Sequence, residues 1–382
     1  MDQETAVRNS TAIIWYRRDL RTDDHAGLAS ACRRNQRVVP VYVHDENEMG
    51  DWSPGAASKW WLHHSLESLS SELVARGSRL HLQCGSSPEA LVDAARRAGA
   101  RSIYFQRRSE PAARTVEKQV EWACSEAGIE VCASDGELFF KPGTIVTGQG
   151  NPYQVFTPFW KRCLQQGVDS RVALVPSVLP SYPIPDGSLT LPELGLLPNF
   201  NRTTGLRALW QPGQKGAQDT LHRFLSDAID SYAEGRDRPA ERWTSSLSPH
   251  LHFGEISPRQ IASKLCSVHG DGVSSFLREL GWREFSHHLL YHFPQLDQHP
   301  LREQFASFPW CEDRDGLCAW QRGQTGYPLV DAGMRQMWKT GWMHNRVRMV
   351  VGSFLVKDLL IDWRLGAEWF WDRLVDANLA NN

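Results

Sequence analysis

Apolar and polar positions change rhythm once along this chain. Up to about residue 140, short apolar runs alternate with longer segments whose apolar residues recur at helical spacing. The runs at 11–16, 38–43, 79–83, 101–106 and 129–133 predict five strands. Pro40 inside the second run counts against it, because proline cannot donate to a ladder. Between the runs, 26–33, 56–76, 88–98 and 112–127 predict four helices. Strands separated by helices of this length imply a parallel, doubly wound, Rossmann-like sheet. Residues 141–205 are rich in Pro and Gly and read as a long interdomain linker, with a short helical piece near 155–163. From residue 205 onward strand signals vanish. The expected fold is therefore α/β plus all-α, with an α/β domain at 11–140, a linker at 141–205 and an all-helical domain at 206–382.

Two helices stand out in the second domain. One opens at Pro328, carries Leu329, Val330, Met334, Met337 and Trp338 at helical spacing, and can close at Gly341. The other, predicted over 343–356, aligns Val347, Val350, Val351 and Phe354 in one apolar stripe. Its opposite side carries Asn345, Arg348, Met349 and Gly352. That face suits contact with something flat and polar-edged, with Gly352 permitting close approach and Met349 as adaptable filler. Periodicity alone also accommodates two core helices with Arg348 paired to a carboxylate.

Three further stretches carry candidate chemistry. A helix predicted at 220–233 runs through Tyr232 toward Arg236, and Thr244-Ser245-Ser246-Leu247-Ser248-Pro249 follows. Clustered hydroxyls ahead of a Pro-opened helix serve either as a helix cap or as a phosphate cradle. Glu279, Trp282 and Arg283 share one helix face. They form either a half-buried Trp with a Glu279–Arg283 ion pair, or a platform that stacks on a base and hydrogen-bonds its edge. After the first strand comes Arg17-Arg18-Asp19-Leu20-Arg21-Thr22-Asp23-Asp24 in place of G-x-G-x-x-G, which disfavours a hydride-transferring dinucleotide domain. That loop reads either as Asp and Arg residues paired with each other or as ligand contacts.

Composition narrows the picture. A net charge of −2 gives no general attraction to nucleic acid, so DNA binding requires a local basic patch. Sixteen Trp suit stacking surfaces or electron relay as well as core packing. Eight scattered Cys without a C-x-x-C pair predict neither a metal site nor a disulfide framework. No stretch reaches membrane-spanning length, so no membrane partner is expected and a cytoplasmic location is.

The stretches T-G-Y-P-L-V-D-A-G-M-R-Q, T-G-W-M-H-N-R-V-R-M and L-L-I-D-W resemble the flavin-binding domain of the DNA photolyase/cryptochrome family. W-Y-R-R-D-L-R-T-D-D, T-S-S-L-S-P-H-L-H-F-G-E-I-S-P-R and R-E-L-G-W-R-E-F are similar to further motifs of that family. The resemblance runs from Trp15 to Asn382 and is greatest to a class I cyclobutane pyrimidine dimer photolyase. It implies FAD as cofactor, contacted by Tyr232, Thr244, Ser245, Ser246, Leu247, Ser248, Arg283, Arg348, Asp376, Ala377, Asn378 and Asn382. Arg348 is expected over the flavin ring, paired with Asp376, and Asn382 opposite the flavin N5. The resemblance assigns Glu279, Trp282, Asn345 and Met349 to a lesion pocket. Toward DNA it assigns Arg236, Glu279, Trp282, Arg283, Ser286, Trp342, Asn345 and Arg346. Trp310 and Trp363 match two members of a tryptophan electron-transfer chain. The N-terminal domain is expected to hold an antenna, either methenyltetrahydrofolate or 8-hydroxy-5-deazaflavin.

The activity so implied is light-dependent repair of pyrimidine dimers in DNA, by electron transfer from excited reduced FAD, in a monomeric deoxyribodipyrimidine photo-lyase, a carbon–carbon lyase. The alternative is a cryptochrome-type photosensor. Trp282, Asn345 and Met349 together favour repair, and a photolyase for (6-4) lesions would carry His in place of Asn345. Two departures from the family pattern bear on this. Asn378 stands where Asp is usual, and Gly-Trp-Gln-Trp does not follow Asn382, so a C-terminal truncation is expected, with flavin bound weakly or not at all and no repair by these 382 residues alone.

Overall fold

The computed structural model describes residues 10–182, 187–197 and 203–381, so Asn382 and parts of the predicted linker lie outside the described residues. The first elements are β1 (Thr11–Tyr16), α1 (Ala26–Arg34), β2 (Arg37–His44), α2 (Ala56–Ala75), β3 (His81–Cys84), α3 (Ser87–Ala98), β4 (Ala100–Gln106), α4 (Pro111–Glu126) and β5 (Glu130–Ser134). The strands form one parallel sheet in the order β3-β2-β1-β4-β5, reversing beside β1 as in doubly wound folds. β1 is buried along its whole length, which explains its unbroken apolar sequence. Ala12, Ile14 and Tyr16 pack with Leu28 of α1 and with Trp60, Trp61 and Leu66 of α2. Ile13 and Trp15 point the other way, toward Leu91 of α3 and Val120 of α4.

Pro40 sits inside β2 although that strand is internal. Val38, two residues earlier, donates its N–H to Pro180 O on the flank away from β1. Pro40 faces the same flank, and β3 begins pairing only at Val41↔His81. The missing donor therefore falls in a gap in the ladder.

The helical part comprises α5 (Phe156–Gln166), α6 (Thr204–Leu209), α7 (Gln214–Asp227), α8 (Tyr232–Gly235), α9 (Ser248–His252), α10 (Pro258–Leu265), α11 (Asp271–His292), α12 (Arg314–Arg322), α13 (Pro328–Thr340), α14 (Asn345–Ser353) and α15 (Trp363–Arg373). The single helix expected at 220–233 is two, because Ala228 leaves helical geometry at φ −129° and a turn intervenes before α8. α14 is shorter than expected. His344 caps it by accepting from Arg346 N at 3.1 Å, and after Ser353 the chain continues as a π-helical turn, Phe354–Asp358.

The predicted stripe on α14 is split. Val347, Val351 and Phe354 are buried with Trp320, Met334 and Met337, but Val350 is 40 % exposed. At 100° per residue Val350 lies about 60° from Val347, and it lines an open groove beside Pro328 and Leu329 at the start of α13. The close approach expected at Gly352 is also displaced. A Cβ on Gly352 would meet nothing within 4 Å, whereas one on Gly333 of α13 would overlap Val347. Gly333 is the residue that lets α13 and α14 pack tightly.

The loop after β1 joins the two parts of the molecule. Arg21 is fully buried and donates to Gly254 O at 2.9 Å and Asp24 O at 2.9 Å, and Leu20 N donates to Phe253 O at 3.1 Å. The Arg and Asp residues of this loop do not chiefly pair with each other. Arg17 binds Glu48 at 2.6 Å and Glu117 at 2.5 Å, Asp19 binds His25 at 2.9 Å, and Asp24 binds Ser257.

Candidate functional site

An open cavity of about 790 Å³ lies where α8, the 244–248 loop, α9, α11, the α13–α14 junction and the turn at 376–381 converge. Leu247, 1 % exposed, anchors the loop, and Ser246 takes a left-handed φ of 55°, unusual outside glycine. Thr244, Ser245, Ser246, Leu247 and Ser248 all border the cavity, as does Tyr232. The Ser248 hydroxyl is committed to a carboxylate: it donates to Asp376 Oδ2 at 2.6 Å. Arg348 Nη2 reaches both oxygens of Asp376, at 2.9 and 2.8 Å, while its Nε donates to Met343 O at 2.8 Å. Three elements thus hold one guanidinium at the cavity wall.

Asn378 explains its own departure from a carboxylate. Its Oδ1 accepts from Ala380 N at 3.0 Å, Asn381 N at 3.1 Å and Asn381 Nδ2 at 3.0 Å, which closes the turn. Its Nδ2 lies 3.4 Å from His252 Nδ1. Burial, reinforced by Arg18 and Arg108, holds the His252 pKa well below the usual histidine range, so the ring is neutral. An amide can donate to a neutral imidazole nitrogen; a carboxylate cannot. His252 Nε2 is buried without a protein partner, on a ring that borders the cavity. A buried orphan of this kind calls for a polar partner. With the hydroxyl-lined loop and the fixed Arg348, it fits a large, polar-edged, phosphate-bearing cofactor such as FAD.

The opposite wall is α11. Trp282 is 42 % exposed and stacks on Phe156 of α5, with centroids 3.7 Å apart and planes 9° apart. One face of its ring is covered and the other is not needed by Phe156. The Glu279–Arg283 ion pair left open by the sequence does not form. Glu279 pairs with Arg236 instead, and Arg283 donates to Glu137 O at 2.8 Å. Ser286, Trp342, Asn345, Arg346 and Met349 complete the wall, and Arg283 and Asp376 border it too.

Other expected residues lie elsewhere. Ala377 is buried in the core with Met343 and Leu374. Trp310 packs on Phe308 at 4.5 Å and Trp363 lies under Arg364 at 5.1 Å, and neither borders the cavity. Asn382 falls outside the described residues. Sequence reasoning missed Phe156, Asp237, His252, Arg278 and Asn381. His252 and Arg278 had a signal, since they lie inside the quoted S-P-H-L-H-F and R-E-L-G-W-R-E-F stretches.

A parallel nucleotide-type sheet carrying a helical domain with one large polar cavity defines the class. Comparison with known proteins then gives the family. Residues 12–178 match the family model for DNA photolyase, and residues 276–382 match that for the FAD binding domain of DNA photolyase. A deoxyribodipyrimidine photo-lyase of Agrobacterium fabrum is 41 % identical over 99 % of this chain and 79 % of its own length. Cryptochrome-2 of Arabidopsis thaliana is 36 % identical over 96 % of this chain and 63 % of its own. The crystal structure of a bacterial class III photolyase from Agrobacterium tumefaciens superposes with a TM-score of 0.93 at 40 % identity, covering all of this chain and 79 % of that one. An archaeal photolyase from Sulfolobus tokodaii, solved with two FAD molecules, gives 0.84 at 30 % identity, over 97 % of this chain and 80 % of its own. The chain belongs to the DNA photolyase/cryptochrome family. The class I assignment expected from the motifs is not supported, since the similar solved structure at a TM-score of 0.93 is a class III enzyme. Among the described residues, no helix is long and apolar enough to cross a membrane and no metal-binding cluster occurs.

Proposed function

We propose that the protein repairs cyclobutane pyrimidine dimers in DNA with light. Reduced FAD, once bound, would supply the redox chemistry: a light-driven one-electron transfer to the dimer that is returned when the ring has opened. Tyr232 and the 244–248 loop hold the diphosphate. Arg348, fixed by Asp376 and Met343 O, would help hold the ring system. Trp282, braced by Phe156, offers its remaining face to a flipped base, and Glu279 accepts from that base's polar edge. Asn345 and Met349, which border the same cavity, would help exclude water from it. Arg236, Arg346, Trp342 and Ser286 follow the DNA backbone. Flipping is least costly at a lesion whose stacking is already damaged. Trp310 and Trp363 serve electron supply to oxidised flavin. A folate or deazaflavin antenna belongs to the α/β domain, and the protein acts as a monomer.

The observation that carries this assignment is co-location: the Arg348–Asp376 pair and the Trp282–Glu279 pair border one cavity. The test loads the purified protein with excess FAD, reduces it, adds dimer-containing oligonucleotide and measures dimer loss under blue light. Retained flavin without light-dependent dimer loss would refute repair. The second reading is a cryptochrome-type photosensor, favoured by the 36 % identity to Arabidopsis cryptochrome-2 over 96 % of this chain. A light-driven change in flavin absorption, with the dimers left intact, is its expected signature.

A further inference from the structure

Four charged side chains of alternating sign cross the mouth of the cavity. Glu279 on α11 pairs with Arg236, which caps the C-terminal end of α8. Arg236 Nε also lies 3.7 Å from Asp237 Oδ1. That same oxygen accepts from Arg346 Nε, on α14, at 2.6 Å. The series Glu279, Arg236, Asp237, Arg346 therefore spans three elements and sums to zero charge. A surface meant for a polyanion here presents its two arginines already neutralised.

The two halves of the series differ in exposure. The Arg236 and Glu279 side chains are 16 % and 24 % exposed, whereas Arg346 and Asp237 are 41 % and 54 % exposed. An exposed pair contributes little to stability and exchanges readily. The outer pair is thus the one that a phosphate can open without disturbing the fold.

We propose that Asp237 is an intramolecular counter-ion that occupies Arg346 in place of a DNA phosphate, and that a backbone phosphodiester displaces it on binding. Asp237 then sets the affinity and salt dependence of the DNA face, although it need not touch DNA. The inference rests on the assignment of that face to DNA. Exchange of one anion for another has a thermodynamic signature. Neutralising a phosphate of duplex DNA releases about 0.9 of a condensed cation, and the freed Asp237 carboxylate, a single charge, gathers a diffuse ionic atmosphere that offsets a fraction of that release. The net release in the native protein is correspondingly smaller. Removing the charge at 237 restores the full release.

The test is equilibrium binding in the dark, by fluorescence anisotropy over a KCl series, with dimer-containing and undamaged duplexes. Asp237→Asn is expected to tighten binding about two- to fivefold, the range an exposed ion pair allows. The slope of log affinity against log salt should steepen by a fraction of the roughly 0.9 that one phosphate contributes. Asp237→Ser should behave alike, Asp237→Glu should restore native behaviour, and far-UV circular dichroism establishes that each variant is folded. Both duplexes should respond equally, because both offer phosphates.

Arg346→Gln should weaken binding, and in that background Asp237→Asn should keep only the smaller gain that its contact with Arg236 allows. An equal gain from Asp237→Asn with and without Arg346 would mean that the residue acts only through bulk charge, and would overturn the proposal. So would unchanged affinity and slope in Asp237→Asn alone. If Arg346→Gln left binding unaltered, the DNA assignment of the face would fail first, and the counter-ion role with it.

Discussion

Two glycines on neighbouring helices should respond to the same substitution with opposite sign. Gly333 lies inside α13, and a Cβ there would overlap Val347 Cγ1 while lying 3.2 Å from Val351 Cγ2 and 3.4 Å from Met343 Sδ. Val347 and Val351 are 4 % and 0 % exposed, and β-branched side chains have little χ1 freedom in a helix. They cannot rotate away, so the backbones must separate. Overpacking of this kind costs about 1–3 kcal/mol. Replacing a helical glycine by alanine returns about 1 kcal/mol. The net expectation for Gly333→Ala is a loss of up to about 2 kcal/mol. Gly352→Ala meets nothing within 4 Å and should keep the helical gain, about 0.5–1 kcal/mol. Denaturant unfolding followed by far-UV circular dichroism reads both changes. Separating α13 from α14 also shifts Asn345, Arg348 and Met349, so Gly333→Ala should retain less added flavin after gel filtration, and Gly352→Ala should not. A Gly333→Ala protein stabilised as much as the Gly352→Ala protein would refute the close-packing account of the α13–α14 interface.

Further expectations concern single sites. Trp282→Ala should weaken dark binding to dimer-containing DNA by about 1–3 kcal/mol, the worth of one stacking platform; because Phe156 braces the ring, Phe156→Ala should do part of the same, and intact affinity in both would remove Trp282 from the pocket. Asp376→Ala should cost about 3–5 kcal/mol by stranding the Arg348 guanidinium, toward the low end because Arg348 keeps 16 % exposure, and the loss should shrink in an Arg348→Met background; strictly additive losses would deny the coupling. Burial drives the His287 pKa down to about 3 and that of His288 to about 4. Both folded values lie below the unfolded 6.5, so the stability they contribute is present above that pH and is lost as pH falls toward 4. Glu284, pushed up to about 7 by burial, works the other way and loses its contribution as pH rises from 4.5 to 7. Subtracting a His287→Gln protein from its parent isolates the histidine, and the parent should lose more stability between pH 7 and pH 5; identical pH profiles would show that His287 does not titrate in the unfolding equilibrium.

Local pattern made much of this molecule legible. The 11–16 run announced β1, and Pro328 and Gly341 bounded α13 because their backbone preferences act within a residue or two. The Arg348–Asp376 pair came from motif resemblance, and the two side chains do meet. Opposed surfaces were harder to read. Periodicity shows which side of α11 carries Glu279, Trp282 and Arg283, but not that Arg236 and Glu137 lie across from them. Phe156 comes from a segment that reads as linker, and nothing near Trp282 in sequence signals its arrival. Val350 and Gly352 failed for a related reason. A helical stripe has edges, and only the neighbouring helix decides which edge is covered.

The loop after β1 imposes a timetable on synthesis. Arg21 depends on the carbonyl of Gly254, which is 233 residues further along the chain. At about 5–20 residues per second, a ribosome delivers that acceptor roughly 10–50 s after the arginine emerges. Trp61 waits in the same way for Glu255, to which its Nε1 donates at 2.8 Å. The nascent sheet can close its strands early, yet one edge stays unlatched until α9 has been made. Chains stalled before residue 254 should therefore be nicked by protease within 17–24, and chains released after α10 should resist.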